Sequence, residues 1–368
     1  MNILVTGANG FIGRNLCVFL SEAGYNNIST ITREDTQDDI LAKTVKADFI
    51  YHLAGVNRPE NDAEFKEGNT DFTSLIINEL IACDKKTPIV FTSSTQAELD
   101  NAYGLSKAGA ESLLKIYQDT AGADVFIYRL PNVFGKWCRP NYNSAVATFC
   151  YNTINNLPIM VNNAEAKLNL VYIDDVCNNF IRLLDPTIQK TSRFEVSPVY
   201  QSTVGEVVLL LKKFKESRDT LISERVGTEF IRALYSTYVS YFSPEQFAYS
   251  VTRHSDERGT FVEMLKTKDS GQFSFFTAHP GVTRGGHYHH TKTEKFLVIK
   301  GEASYKFRNI VTDEFYELLV TGEDSKIVET APGWTHDITN VGKDEMIVML
   351  WANEIFDRDN PDTFAREI

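Results

Sequence analysis

The chain has 368 residues, 43% of them hydrophobic and 23% charged, a size that exceeds one compact core and fits two domains. Its formal net charge of −12 argues against nucleic acid as the main partner, because a phosphate backbone would be repelled. No apolar run approaches a membrane span and no signal-peptide pattern opens the chain, so a cytoplasmic protein without membrane insertion is expected.

Asn2–Thr6 reads as a short apolar strand, followed by a turn containing Gly7, Gly10 and Gly13. A helix comes next, with Ile12, Leu16, Phe19 and Leu20 on one stripe and Gly24 as its stop. Ile28–Thr32, Ala47–Ala54, Pro88–Ser94 and Val125–Leu130 are further strands, and Tyr103–Tyr117 is a helix. Apolar strands alternating with helices predict a doubly wound parallel α/β sheet, covered on both faces. From Phe261 onward the pattern changes to short strands separated by Gly- and Asp-containing turns. That predicts an all-β barrel or double-sheet jelly roll. The change falls within Tyr241–Tyr249, giving expected domains 1–244 and 245–368. Cys17, Cys83, Cys138, Cys150 and Cys177 are odd in number and form no CxxC pair, so they read as reduced thiols.

The glycine turn lies between a strand and a helix. Glycine there permits a tight turn and close approach of backbone N–H groups to a pyrophosphate at the helix N-terminus. Phe11 and Ile12 lie within this expected cofactor segment, and Leu53 and Ala54 end the third strand beside it. Tyr103 and Lys107 are four apart on one helix face. A neighbouring ammonium favours phenolate, so tyrosine can act as acid or base near neutrality. Ser94 ends the preceding strand and can hydrogen-bond a substrate oxygen. A Tyr-x3-Lys pair alone would read as a surface pair; beside the glycine turn and Ser94 it reads as a site.

His287 and His289 are two apart, Glu294 follows, and His336 comes on a later segment. Residues two apart on a strand share a face, so one strand can present both histidines to one ion, with Glu294 and His336 from neighbouring strands. Imidazole and carboxylate are donors for a divalent transition metal; zinc is the first choice, with manganese, iron and nickel open. A lone histidine would read as packed or solvated. His290 is an alternative ligand, because it too precedes Glu294 at a workable spacing.

The segments TGANGFIG, HLAG, FTSS, YGLSK and RLPNVFG, in that order, resemble the extended short-chain dehydrogenase/reductase family, a Rossmann-type fold, over the first two-thirds of the chain. The resemblance implies that Tyr103 is the catalytic acid/base, that Lys107 binds the nicotinamide ribose and tunes Tyr103, and that Ser94 steadies the reacting oxygen. It implies that Asn132 contacts a nucleotide-sugar diphosphate. Arg129 and Asp175 also match family positions, with structural hydrogen bonding as an equal reading. Thr95 and Gln96 stand where family dehydratases carry Asp-Glu, which disfavours elimination. Thr32-Arg33 replaces the acid that would bind the 2′-hydroxyl of NAD, which favours NADPH, although Glu34 and Asp35 follow.

The motifs His287-x-His289-x4-Glu294-x6-Gly301 and Pro332-Gly333-x2-His336-x3-Asn340 resemble the cupin family over about Tyr249 to Ile368. That implies one divalent ion on His287, His289, Glu294 and His336. Asp256-Glu257-Arg258-Gly259-Thr260-Phe261 resembles the entry segment of deoxysugar epimerases. With GKWCRPNYNS and FDRDNPDT, the whole chain is similar to the CapF family of bifunctional capsular polysaccharide enzymes. This implies C3 epimerisation of a UDP-2-acetamido-2,6-dideoxy-4-hexulose, then C4 reduction to UDP-2-acetamido-2,6-dideoxy-L-talose, on the route to UDP-N-acetyl-L-fucosamine. A homodimer is expected. The alternatives are a reductase whose cupin only dimerises or binds sugar around a structural metal, and a 4-epimerase that retains NAD. The C3 base is left open between His290 and Lys295.

Overall fold

The computed structural model describes residues 1–187, 194–256, 259–262, 265–267, 271–354 and 359–368. The chain forms two compact units. The first comprises Met1–Phe134, Asn141–Ser144 and Leu168–Gln201, and the second Gly135–Pro140, Ala145–Lys167 and Ser202–Ile368.

In the first unit, strands β1 (Ile3–Thr6), β2 (Ile28–Ile31), β3 (Phe49–His52), β4 (Ile89–Ser94) and β5 (Val125–Leu130) form one parallel sheet in the order β2-β1-β3-β4-β5. This is the Rossmann-type doubly wound sheet read from the sequence. The order reverses at β1 and β3, so the crevice at their carboxyl ends is the natural ligand position. Helix α1 (Phe11–Glu22) buries Leu16, Phe19 and Leu20 of the predicted stripe and leaves its fourth member, Ile12, half-buried. Helix α2 (Gln37–Lys46) opens on a reciprocal capping box between Thr36 and Asp39. Helices α3 (Phe72–Ala82) and α4 (Ala102–Ala121) contribute Ile76, Leu80, Ala110 and Leu114 to a core with Leu4, Ile50 and Phe91. Helix α4 runs past the expected end at Tyr117 and stops at Gly122, whose φ is +67°. Helix α5 (Ile173–Arg182) also belongs to this unit; its Phe180 carbonyl accepts the Tyr51 hydroxyl at 2.9 Å. Strand β6 (Asn132–Phe134) pairs in parallel with β7 (Lys167–Tyr172).

In the second unit, two five-stranded antiparallel sheets make the jelly roll. One has the order β8-β14-β11-β16-β9, from Ala248–Ser250, Lys326–Glu329, Glu294–Lys300, Met346–Ala352 and Gln272–Ala278. The other has the order β13-β12-β15-β10-β17, from Phe315–Thr321, Glu302–Asn309, Trp334–Asn340, Thr283–Tyr288 and Phe364–Ala365. Phe296, Val298, Tyr305, Phe307 and Ile338 fill the interior. Helices α6 (Val204–Thr220) and α7 (Glu229–Val239) lie before the expected boundary at 244, yet belong to this unit.

Their packing has a clear cause. On β11 the side chains alternate, so Lys295 faces outward where Glu294 faces inward. Lys295 lies opposite Glu329 of β14, and its Nζ donates to Glu329 Oε1 at 2.6 Å. Arg218 of α6 donates to Glu329 Oε2 at 2.8 Å, and the Tyr235 hydroxyl of α7 donates to Oε1 at 2.7 Å. Both Lys295 and Glu329 are buried, so the helices are the lid that dries this ion cluster.

Two candidate active sites

At the crevice of the first unit, Gly7 adopts φ +68°, and a Cβ there would stand 2.8 Å from the Ala54 backbone. A Cβ on Gly13 would strike the Gly7 carbonyl. The turn is therefore a cradle only glycine can form. The first turn of α1 has no acidic residue to oppose a phosphate. Phe11 and Ile12 are half-buried at its start, and Leu53 and Ala54 lie across from Gly7. Thr6 Oγ1 accepts the N–H groups of Leu53 and Ala54 at 3.1 and 3.0 Å, fixing the two strand ends together. His52 bonds Thr6 through one ring nitrogen and Thr73 through the other, each at 2.9 Å. Burial brings its pKa down to about 3, so it is a neutral structural link.

Tyr103 lies in the first turn of α4, half-buried, with Ser94 close enough to its hydroxyl to influence its titration. Burial raises its pKa and Ser94 opposes that rise. The expected lowering by Lys107 is absent from this geometry, because Lys107 Nζ donates to the Thr92 carbonyl at 2.9 Å. Burial lowers Lys107 to about 8. Arg33 is exposed at the end of β2. Asp35 is tied back: it accepts the Thr32 N–H at 2.7 Å and pairs with Lys43. Asn132 is exposed where β6 begins. Arg129 makes a forked pair with Glu111 at 2.9 and 2.6 Å and reaches Glu98 at 2.8 Å. Asp175 lies in the first turn of α5. The structural reading therefore suits Arg129.

In the second unit, His287, His289, Glu294 and His336 converge, their ligand atoms all within 4.8 Å of one another. His289 and His336 each approach Glu294 Oε2 at 3.2 Å through Nε2. Atoms about 2.0–2.2 Å from a shared ion are themselves roughly 3–4.4 Å apart, so closing the widest separation by about 0.4 Å would seat one divalent metal. The β10–β15 ladder sets His287 opposite His336, and Glu294 starts β11. His289 lies one residue past the end of β10. Burial holds His287 at about 3 and lowers His336 too. Burial would raise Glu294, but the histidines beside it hold it well below the usual range. Neutral imidazoles with an ionised carboxylate are the forms a metal binds.

Two known families match this chain. The NAD dependent epimerase/dehydratase family model matches residues 3–196, and the polysaccharide biosynthesis C-terminal domain model matches 254–364. The crystal structure of the capsular polysaccharide assembling protein CapF from Staphylococcus aureus aligns over 100% of both chains, with a TM-score of 0.69 and 42% identity. The chain belongs to the CapF branch of the NAD dependent epimerase/dehydratase family. A UDP-2-acetamido-2,6-beta-L-arabino-hexul-4-ose reductase of Pseudomonas aeruginosa is 58% identical over 99% of this chain and 98% of its own. A Bacillus cereus UDP-glucuronic acid 4-epimerase, solved with UDP-glucuronic acid and NAD, shares the fold over 58% of this chain and 83% of its own, at TM-score 0.51 and 20% identity.

In this CapF-type chain, both residues considered for the C3 base stand outside the histidine–glutamate cluster. Lys295 is locked to Glu329 on the outer face of β11. His290 packs on Phe364 and Tyr288, ring centroids 4.9 and 5.7 Å away, opposite in alternation to His289. Among the described residues the metal-ligating group is the four named above. Glu257 and Arg258 of the epimerase-like entry segment, and Phe356–Arg358 of FDRDNPDT, lie outside the described residues. Two residues went unread in the sequence. Asn69 sits in a π-helical segment, Lys66–Asp71, accepts the Val56 N–H at 2.9 Å and donates to Ser106 at 2.9 Å. A Cβ on Gly55 would collide with Asn69 and stand 3.1 Å from Lys107 Nζ, so Asn69 and Gly55 together bound the lysine's slot. Asp362 is the other; its contacts are described below.

Proposed function

We propose that this chain is a bifunctional nucleotide-sugar enzyme. The second unit inverts C3 of a UDP-2-acetamido-2,6-dideoxy-4-hexulose, and the first reduces the C4 ketone with NADPH to UDP-2-acetamido-2,6-dideoxy-L-talose, toward UDP-N-acetyl-L-fucosamine for capsule. The carrying observation is that one chain holds both a glycine-only cradle, with Tyr103 and Lys107 on one helix of the same unit, and a compact His3Glu donor set. The 4-ketosugar reductase named above supports the substrate class.

Bound NADPH supplies the hydride. Tyr103 delivers the proton to the C4 oxygen, Ser94 hydrogen-bonds that oxygen, and Lys107 holds the ribose. The tether of Asp35 to Lys43 and Thr32 supports NADPH over NADH, since it draws one of the two following acids away from the exposed Arg33. A bound divalent ion, zinc in our reading, supplies Lewis acidity at a carbonyl oxygen, worth roughly several kcal/mol. His287, His289, Glu294 and His336 hold it. The order of steps follows from acidity: the C3 proton is labile only while the C4 ketone exists, so reduction fixes the inverted centre.

The test is NMR of the 4-ketosugar in deuterated water. Enzyme without NADPH should place deuterium at C3. Reduction with no C3 exchange would reduce the second unit to a binding or dimerising module around a structural metal.

A further inference from the structure

His289 is the metal-site residue that no strand ladder supports. His287 and His336 face each other across β10 and β15, and Glu294 is the first residue of β11. His289 instead opens the connection between β10 and β11. What fixes it comes from more than seventy residues away. The ring Nδ1 of His289 bonds the backbone carbonyl of Asp362. A carbonyl can only accept, so Nδ1 carries the proton, which in the neutral ring leaves the Nε2 lone pair for an ion held between His289 and Glu294.

The Asp362 carboxylate grips the same connection. Its Oδ1 accepts the His290 N–H at 2.9 Å. Its Oδ2 accepts the N–H groups of Thr291 and Lys292, each at 2.6 Å, and the Thr291 hydroxyl at 3.0 Å. Three consecutive backbone donors thus wrap one anion. The segment carrying Asp362 is itself anchored. Strand β17 pairs with β10 at His287 and Tyr288, and Phe364 stacks on Tyr288 with centroids 5.5 Å apart. The Thr335 hydroxyl donates to the Arg366 carbonyl at 2.7 Å, and the Arg366 N–H to the Gly286 carbonyl at 2.9 Å. Lys292 Nζ donates to the Thr363 hydroxyl at 3.1 Å.

We propose that Asp362 is a positioning residue of the metal centre: it sets the tautomer and direction of His289 through its carbonyl and the path of the following backbone through its carboxylate. This rests on the metal reading above. Outer partners of metal-binding histidines typically contribute about 10–100-fold in affinity.

The probe is Co²⁺ titrated into metal-stripped full-length protein, followed by visible absorption and by competition with a chelator. Asp362→Asn should bind Co²⁺ about 10–100-fold more weakly and show a shifted ligand-field band, because His289 no longer meets the ion in one geometry. Asp362→Glu keeps the charge and carries the test if the asparagine variant does not fold; it should give an intermediate loss. A folded variant matching wild type in affinity and band shape overturns the role of Asp362. Wild type that takes up no Co²⁺ overturns the metal reading beneath it.

Discussion

Tyr103 and Lys107 share a helix face, yet Lys107 Nζ turns to the Thr92 carbonyl and Ser94 is the group that opposes the burial-driven rise of Tyr103. Tyr103→Phe removes the proton donor and should slow ketone reduction by about 10²–10⁴-fold. NADPH oxidation with the 4-ketosugar measures this, and an undiminished rate would reject Tyr103. Lys107 gives a pH signature. Its folded-state value is lowered by burial to about 8, so the ammonium is present below that and lost above it. NADPH affinity should therefore weaken as pH rises through about 8; fluorescence titration across the neutral to alkaline range reads it, and a flat profile there counts against the ribose contact. Arg33→Ala should weaken NADPH binding and leave NADH binding nearly unchanged. Equal wild-type affinities for the two cofactors would contradict the assignment.

At the scale of elements, the ion cluster between β11, β14, α6 and α7 is where charge and packing meet. Glu329→Gln leaves buried Lys295 and half-buried Arg218 without their anion. Breaking a buried pair in this way costs about 3–5 kcal/mol, which chemical denaturation would detect. Burial alone would raise Glu329, but Lys295 and Arg218 bring it from 4.5 to about 2. The carboxylate's contribution is then complete above 4.5 and disappears as pH falls through about 2. The gap in stability between wild type and Glu329→Gln should narrow over that window and stay constant above it. Much of this level was legible in the chain: the Gly7–Gly13 turn, the α1 stripe and the two histidines around Tyr288 each follow a local period. Strict alternation also places Lys295 on the face opposite Glu294, a signal present in the sequence. Asn69 and Asp362 had no such signal. A π-helical turn has no recognisable spacing, and an aspartate that serves a loop about seventy residues earlier leaves no mark on its own neighbours.

Across the whole molecule, the residues proposed for reduction and those proposed to hold a metal fall in different compact units. His289→Ala should stop deuterium entry at C3 yet retain NADPH-dependent reduction, now giving the uninverted alcohol. Tyr103→Phe should do the reverse. Product analysis of the two variants on one 4-ketosugar decides it, and loss of reduction in a folded His289→Ala protein would mean the two sites are not independent. The helices over Lys295 and Glu329 carry a lesson for anyone building chimeras. A barrel excised at the point where helices give way to strands would bring a lysine and a glutamate to the surface stripped of Arg218 and Tyr235. Exchange of sugar specificity between relatives should therefore graft from upstream of Ser202, so that the donor's own helices travel with its barrel.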